Sequence, residues 1–299
     1  MRRRSGRSPS SSGDCENAAV PGLLESASLQ LRVARRLAPR RGATLAERVG
    51  RLDDRLVFVV GSPRSGTTFL AGAIGSVPGF VDLGEVAPVK AAVPELAGLP
   101  VAEAAVRLRR TLAIARRVGL VGAVRGVEQT PEMAYLADAA LLAYPAARVV
   151  HIVRDGRDVV CSLLERGWLR AGRAGADDAG LPYGHEPRFW VEPERAEEFR
   201  RASDARRAAW AWRRYVSAAR SASGQVFELR YERLAADPER VAASLAAHLD
   251  APVAPLAAAL RSVHASSVGR YERDLAPDQL AEVVDEAGGL LRELGYLDG

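Results

Sequence analysis

One short segment constrains the fold of this chain more than any other, an apolar run that ends in a glycine-rich turn. Residues 56–60 read LVFVV, a pattern typical of a strand buried on both faces of a parallel sheet. The turn GSPRSGTT follows at Gly61–Thr68, and an apolar helix is predicted from about Thr67 to Gly75. This order is typical of a phosphate-binding loop, because backbone N–H groups and the helix dipole there favour an anion. A plain Gly-Ser turn is the alternative.

Further apolar runs alternate with predicted helices along the rest of the chain. Strands are predicted at GFVDLGE, AVRGVE, ARVVHIV and QVFELR. Helices are predicted over residues 94–119, 156–167, 206–222 and 237–250, whereas residues 168–208 look irregular. This alternation predicts an α/β fold with a P-loop-type parallel sheet sandwiched by helices.

Polar residues stand where the predicted strands end. Ligands of parallel sheets bind beyond the carboxyl ends of the strands. The residues placed there are Gly61–Thr68, Glu85, Glu128–Thr130, Arg154 and Tyr231. We therefore expect the functional site at this edge of the sheet.

Charge is unevenly distributed along the chain. The net charge is +5, yet residues 1–55 alone contain twelve arginines and six acidic residues, a local net of +6 (12 minus 6). We expect residues 1–50 to be a basic, partly disordered extension and residues 51–299 to form a single domain. The near-neutral body argues against nucleic-acid binding. Because no apolar run approaches the roughly 18 residues that span a bilayer, we expect a soluble, cytoplasmic protein without stable membrane insertion.

The cations of this chain are almost all arginines. Of the 42 basic residues only Lys90 is a lysine, and the abundance of Ala, Gly and Arg indicates a GC-rich, bacterial genome. Almost any cation that a functional site needs must therefore be an arginine. The two cysteines, Cys15 and Cys161, indicate neither a disulfide framework nor a metal cluster, so no metal site is predicted.

The glycine-rich loop lacks the lysine of nucleotide triphosphatases. Gly66 is followed by Thr67, where a triphosphatase has the lysine that reaches the β- and γ-phosphates. Arg64 stands inside the loop instead and moves the positive charge towards the α-position of a nucleotide 5'-phosphate. This arrangement suits a ligand with one phosphate and one sulfate, handled without magnesium.

A second candidate phosphate site follows the strand at residues 147–153. Arg154 ends that strand, and Ser162 and Arg166 lie four residues apart on one face of the next predicted helix. Two guanidinium groups and a hydroxyl suit a phosphate dianion, because arginine binds phosphate oxygens in a bidentate manner. A surface cluster of arginines paired with the neighbouring aspartates is the alternative. Two phosphate sites side by side are what a 3',5'-bisphosphate nucleotide requires.

The motifs PRSGTT and VRDGRDVVCS together resemble the paired 5'-phosphosulfate and 3'-phosphate motifs of sulfotransferases that use 3'-phosphoadenosine-5'-phosphosulfate (PAPS). The resemblance covers roughly residues 56–299, and YERL…DP and SVGRYERDL…LGY are similar to the tyrosylprotein sulfotransferase branch and its bacterial relatives. It implies one sulfotransferase domain that transfers a sulfuryl group from PAPS to a hydroxyl and releases adenosine 3',5'-bisphosphate. The acceptor, a small-molecule, glycan or peptidyl hydroxyl, is left open, as is a homodimer.

The resemblance also implies which residues bind the cofactor. The residues implied to bind the 5'-phosphosulfate are Arg64, Ser65, Gly66, Thr67 and Thr68. The residues implied to bind the 3'-phosphate are Arg154, Ser162 and Arg166. Tyr231 lines the nucleotide site, and the segment that closes over it comprises Ser266, Ser267, Val268, Gly269 and Arg270.

Glu85 is the candidate general base. Gly84-Glu85 matches the Gly-Glu that supplies the catalytic carboxylate in the tyrosylprotein branch, and an alcohol acceptor needs such a proton acceptor at neutral pH. A surface glutamate is the alternative for Glu85, and His185 is the alternative base. The relatives usually have a lysine where this chain has Gln129. Either Arg64 and Ser267 stabilise the transferring group in its place, or the enzyme is slower, or its acceptor is unusual.

Two other functions remain open from the sequence. A P-loop kinase would need a lysine after Gly66 and magnesium-binding acids, and the lysine is absent. A non-catalytic nucleotide-binding module is favoured only by Gln129. Four aromatic side chains are predicted to form an apolar wall for the acceptor or to be ordinary core, namely Trp168, Tyr183, Phe189 and Trp190.

Overall fold

The structure is a computed structural model that describes residues 55–117, 125–170, 175–176, 182–184 and 186–298. The predicted extension at residues 1–50, the alternative base His185 and Cys15 lie outside the described residues.

A parallel sheet forms the centre of the protein. Its strands are β1 (Val57–Val60), β2 (Phe80–Gly84), β3 (Arg125–Glu128), β4 (Arg148–Val153) and β7 (Val226–Arg230). A separate antiparallel pair consists of β5 (Gly175–Ala176) and β6 (Pro182–Tyr183). The 5-stranded sheet has the order β2-β3-β1-β4-β7, and all neighbouring strands run parallel. The predicted α/β fold is therefore confirmed, with β1 where the strand order diverges, the usual place for a ligand crevice.

Helices cover both faces of this sheet. They are α1 (Thr67–Ser76), α2 (Ala87–Leu96), α3 (Val101–Arg117), α4 (Ala137–Ala143), α5 (Gly156–Arg166), α6 (Ala196–Arg201), α7 (Asp204–Arg220), α8 (Tyr231–Ala236), α9 (Pro238–Leu249), α10 (Val253–Leu260), α11 (Tyr271–Asp274) and α12 (Pro277–Glu293). Short 3-10 helices lie at Pro131–Leu136, Pro193–Arg195 and Ala265–Ser267. None of the helices in the described residues is long and apolar enough to span a membrane.

The two core layers explain why the first strand is apolar throughout. Phe58 and Val60 pack in the larger layer with helices that include α2, α5 and α7. Val57 and Val59 point to the opposite face and pack with residues of α1, α9 and α10. Because side chains alternate along a strand, a strand with helices on both faces needs an apolar residue at every position.

The predicted single helix over residues 94–119 is wrong in its extent. The chain forms two helices there, because α2 begins at Ala87 and ends at Leu96, and α3 begins only at Val101. Pro100 stands directly before α3, and a proline disfavours helical conformation in the residue that precedes it. Lys90 therefore lies in the first turns of α2.

The region from 168 to 208 is less irregular than predicted. It contains α6 and the start of α7, where Ser203 caps the helix by accepting the Arg206 N–H. Trp190 is fully buried and packs edge-to-face against Phe199. For Trp190 the core alternative therefore holds rather than the acceptor wall.

Candidate active site

A cavity of about 410 Å³ opens beyond the carboxyl ends of β1 and β4. Its lining residues are Arg64, Gly66, Thr67, Thr68, Phe69, Arg154, Ser162, Glu165, Tyr231, His264, Ser267 and Arg270. A cavity of the same volume runs along β7, α8 and α9, but none of the predicted site residues lines it. We place the site in the first cavity, because the glycine-rich loop and three arginines converge there.

The glycine-rich loop has an unusual backbone conformation. Gly66 has φ +99° and precedes α1, and a Cβ at this position would lie 3.0 Å from the Tyr231 ring. Arg64 also has a positive φ, 71°, which is costly for a residue with a side chain. Such conformations persist where the surroundings enforce them and are common at functional sites.

Arg64 is held by contacts with α5 and with the residue Trp168 that follows this helix. Its Nε donates a hydrogen bond to Ser162 Oγ on α5 at 3.0 Å, and its guanidinium lies 5.9 Å from the centre of the Trp168 ring. The loop arginine and the α5 hydroxyl, which the sequence assigned to two different phosphates, are therefore direct neighbours.

The start of α1 faces this cavity through Thr67 and Thr68. Within the described part of the chain, the helix has neither a side-chain cap at Gly66 nor an acidic residue in its first turn. Its first backbone N–H groups are thus suited to an anionic ligand, which the helix dipole also favours.

Arg154 is the buried cation of the site. It lies over the Tyr231 ring at 4.8 Å, donates from Nη2 to the Ser267 carbonyl, and stands 3.6 Å from Asp158 Oδ2. Its Nε is buried and has no hydrogen-bond partner among the described residues. Since a buried donor without a partner is costly, this Nε indicates a ligand acceptor atom.

The closing segment, residues 266–270, is fastened to α5. Asp158 accepts the backbone N–H groups of Gly269 at 2.9 Å and Tyr271 at 3.1 Å. Burial raises the pKa of Asp158, while these two hydrogen bonds lower it. Arg270 pairs with Glu165 on α5 and, at 2.7 Å, with Asp274.

Tyr231 and Ser267 meet under this segment. The Tyr231 hydroxyl donates to the His264 carbonyl at 2.9 Å and lies 3.3 Å from Ser267 Oγ. Ser267 Oγ donates to the same carbonyl at 3.0 Å.

Several predicted site residues do not line this cavity. Ser65 is a buried residue of the loop, and its Oγ has no hydrogen-bond partner within the described residues. Glu85, Arg166, Ser266, Val268 and Gly269 are also absent from the lining. Arg166 is exposed, and its neighbour Glu165 faces the cavity instead. The two residues stand three and four positions after Ser162, so helical spacing alone did not distinguish them.

The sequence did not single out three lining residues. Phe69 continues the first turn of α1, Glu165 is the partner of Arg270, and His264 contributes a backbone carbonyl. None of them belongs to a motif, and their proximity depends on packing between distant segments.

Glu85 directly follows β2 and does not line the cavity. Gln129 connects the two places, because its N–H donates to the Gly84 carbonyl at 3.3 Å and its Oε1 accepts from Thr68 Oγ1 at 3.1 Å. The neutral glutamine thus stands between the phosphate loop and the candidate base.

Behind Glu85 lies a group that we call the carboxylate cluster, formed by Glu85, Lys90, Glu128 and Glu132. Lys90 Nζ lies 2.7 Å from Glu85 Oε2 and 3.8 Å from Glu132 Oε2. Glu128 is fully buried, and burial raises its pKa to about 7 although Thr130 donates two hydrogen bonds to it. The negative charge of Glu85 adds to this rise.

A family model described as "Sulfotransferase family" matches residues 107–255, from within α3 to the start of α10. The chain belongs to the sulfotransferase family. The matched part of this sulfotransferase includes Arg154, Ser162 and Tyr231 of the cavity. A search of curated proteins found no match.

Solved structures support the same fold. The sulfotransferase domain from the Synechococcus PCC 7002 olefin synthase matches with a TM-score of 0.51 and 12% identity, covering 86% of this chain and 100% of that one. The sulfotransferase domain from the curacin biosynthetic pathway matches with a TM-score of 0.50 and 13% identity, covering 80% of this chain and 99% of that one.

Proposed function

We propose that this sulfotransferase takes its sulfuryl group from PAPS, transfers it to an acceptor hydroxyl, and releases adenosine 3',5'-bisphosphate. The observation that supports this most is the buried Nε of Arg154, which has no hydrogen-bond partner among the described residues and lies in a cavity that also contains the phosphate loop. A nucleotide with phosphate groups on both its 3' and 5' positions would satisfy both sets of donors.

The cavity has two neighbouring sets of donors for such a nucleotide. Arg64 and the first N–H groups of α1 suit the 5'-phosphosulfate, since they combine a guanidinium with a helix N-terminus. Arg154, Ser162 and Arg270 suit the 3'-phosphate, and they line the same cavity. PAPS, when bound, supplies the sulfuryl group and a phosphate as leaving group.

The transfer itself needs one proton acceptor and one place for the departing negative charge. Glu85 takes the proton from the acceptor hydroxyl as the hydroxyl oxygen forms the new bond to sulfur. The bond between sulfur and the 5'-phosphate oxygen breaks, and its electron pair leaves with that oxygen. Arg64 and the loop N–H groups neutralise this charge, as preorganised donors do in related phosphoryl transfers.

The cofactor part of the proposal is tested by calorimetry with three nucleotides. Adenosine 3',5'-bisphosphate should bind at least about tenfold more tightly than AMP, since two charge-assisted contacts contribute about 1.5–3 kcal/mol each. Arg154→Ala should remove most of that difference. Equal affinity for the two nucleotides, or preference for ATP with magnesium, would overturn the proposal in favour of the kinase or another nucleotide site.

Activity gives a second test. Because guanidinium and N–H groups supply the positive charge here, transfer from PAPS to a phenol should survive EDTA. Activity that EDTA abolishes and magnesium restores would contradict the assignment of Arg64. Tight binding of the bisphosphate without transfer to any tested hydroxyl would favour the binding module instead. The placement in the tyrosylprotein branch stays a prediction.

A further inference from the structure

Lys90 is the one lysine of the chain, and it is buried. All other basic residues are arginines, yet the Lys90 side chain is only 6% exposed and lies inside the carboxylate cluster. A lysine ammonium is a compact point charge on a flexible stem, whereas a guanidinium is a broad planar fork. A narrow site between two carboxylates suits the ammonium.

The ammonium lies between one fixed carboxylate and one partly exposed carboxylate. Glu132 is 1% exposed and is held by the Tyr215 hydroxyl at 3.1 Å and by Arg188 Nη2 at 3.7 Å. Glu85 is 25% exposed, so it is open to solvent from one side. Lys90 therefore connects a rigid carboxylate anchor to the residue that we propose as the base.

We infer that Lys90 is a positioning residue for Glu85, an inference that rests on the proposed role of Glu85 as proton acceptor. Its ammonium holds the Glu85 carboxylate at the carboxyl end of β2 and keeps it ionised until an acceptor arrives, because a nearby cation favours the charged form.

Glu132 makes the proton transfer less costly. When Glu85 takes the acceptor proton, Lys90 loses a counter-charge, and a buried ammonium without one would be strongly destabilised. The Lys90–Glu132 pair remains, so no uncompensated buried cation is left. Two further charged groups act on the ionisation of Glu85 itself. The charge of Glu128 from β3 disfavours it, and Arg188 favours it by partly neutralising Glu132.

The kinetic test compares Lys90→Met with Lys90→Arg. Lys90→Met should lower the single-turnover rate at neutral pH at least about tenfold, with affinity for adenosine 3',5'-bisphosphate unchanged. The acid limb of its pH–rate profile should move up by about one pH unit or more, because Glu85 loses the cation that favours its charged form. Lys90→Arg keeps the charge and should keep the position of that limb. Arg107→Met removes an exposed cation of α3 and serves as the control.

A purely structural role for Lys90 predicts a different pattern. Both variants would then melt at lower temperature, and the acid limb would stay where the unmodified enzyme has it. That result would overturn the inference even if the rates fell.

A second measurement does not depend on activity or on a Lys90 variant. Protein grown with 13Cε-lysine shows a single lysine signal, because the chain has one lysine. In the unmodified protein this signal should shift with pH as Glu85 titrates, and in Glu85→Gln that step should disappear. An identical titration in both proteins would overturn the inference. If the step disappears but Glu85→Gln keeps full activity, the pairing stands and the proposed base is wrong.

Discussion

The cavity at the glycine-rich loop and the carboxylate cluster lie side by side at one edge of the sheet, yet their charges are opposite. The cavity contains Arg64, Arg154 and Arg270 and offers their guanidinium groups to an anion. The cluster contains three glutamates and one ammonium, which lies between two of them, and most of it is buried. In the proposed function, the first binds negative charge and the second receives a proton.

The boundary between these two sides is neutral. Thr68 and Gln129 meet there through a hydrogen bond of 3.1 Å, at the position where the sequence resemblance led us to expect a lysine. The chain thus has its lysine on the acidic side, at position 90, rather than between the two sides. We therefore expect a cation next to the phosphate loop and a cation next to Glu85 to have separate roles, which mutations can distinguish.

The largest expected effect is that of Glu85→Gln, which removes basicity and keeps shape. Turnover of an aliphatic alcohol should fall at least about a hundredfold, since general bases contribute about 10²–10⁴-fold. A phenol of low pKa should suffer less, and affinity for adenosine 3',5'-bisphosphate should stay within about twofold. Single-turnover rates with saturating PAPS provide the measurement, and exposed Glu95→Gln provides the control. A variant that keeps more than about a third of the rate would move the base elsewhere.

The next effect concerns the stability of the carboxylate cluster. The pKa of Glu128 is about 7 in the folded protein and near 4.5 in the unfolded chain, so the folded state binds this proton more tightly. As pH rises through this range stability should fall, by up to about 3.5 kcal/mol at about 1.4 kcal/mol per pKa unit. Above about pH 7 it should level off.

Denaturant unfolding of the unmodified protein and of Glu128→Gln, at pH 5 and pH 8, isolates this contribution. The glutamine variant should lose less stability between the two pH values, because it has no proton to release. Equal losses in the two proteins would show that Glu128 is not the group that titrates.

A smaller effect separates the two arginines around α5. Arg270 lines the cavity, whereas the sequence-predicted Arg166 is exposed outside it. Arg270→Ala should weaken binding of adenosine 3',5'-bisphosphate about tenfold, the size of one charge-assisted contact. Arg166→Ala should change it less than about twofold. If calorimetry shows a larger loss of affinity for Arg166→Ala than for Arg270→Ala, the sequence-based assignment of Arg166 to the 3'-phosphate would be supported instead.

The smallest effect tests the contact between the phosphate loop and Tyr231. Gly66→Ala and Gly79→Ala both place a side chain at positive φ, at +99° and +86°, but only the first meets a neighbour, the Tyr231 ring at 3.0 Å. Each should lose about 1 kcal/mol from the backbone. Gly66→Ala should lose about 1 kcal/mol more by denaturant unfolding, and it should also bind the bisphosphate less tightly. Equal losses would mean that the ring moves aside.

The cavity side was largely predictable from the sequence because its parts are local. β1, the glycine-rich loop and α1 are contiguous, and the second motif joins β4 to α5 in the same manner. The sequence periodicity therefore predicted these elements, and strand-end logic placed Arg154 and Tyr231 at one edge. The choice between Arg166 and its neighbours was not predictable, because it depends on how the closing segment packs on α5.

The carboxylate cluster was predictable only in Glu85 and Glu128, which the sequence places at strand ends. Glu85 follows a predicted strand, but Lys90 fell outside the helix that was predicted from residue 94 onwards. Its contact with Glu132 joins α2 to a 3-10 helix some forty residues later. The periodicity of the sequence does not predict such a contact, because it arises from tertiary packing alone.

The near-absence of lysine also simplifies the alkaline behaviour of this enzyme. Guanidinium groups stay charged up to about pH 12. Burial raises the pKa of Cys161 to about 12 and raises those of Tyr271 and Tyr296 as well. Among the amines of the described residues, Lys90 is then the one that can lose its proton as a solution is made basic. A decline of activity at high pH in this chain can therefore be traced to far fewer groups than in a lysine-rich enzyme.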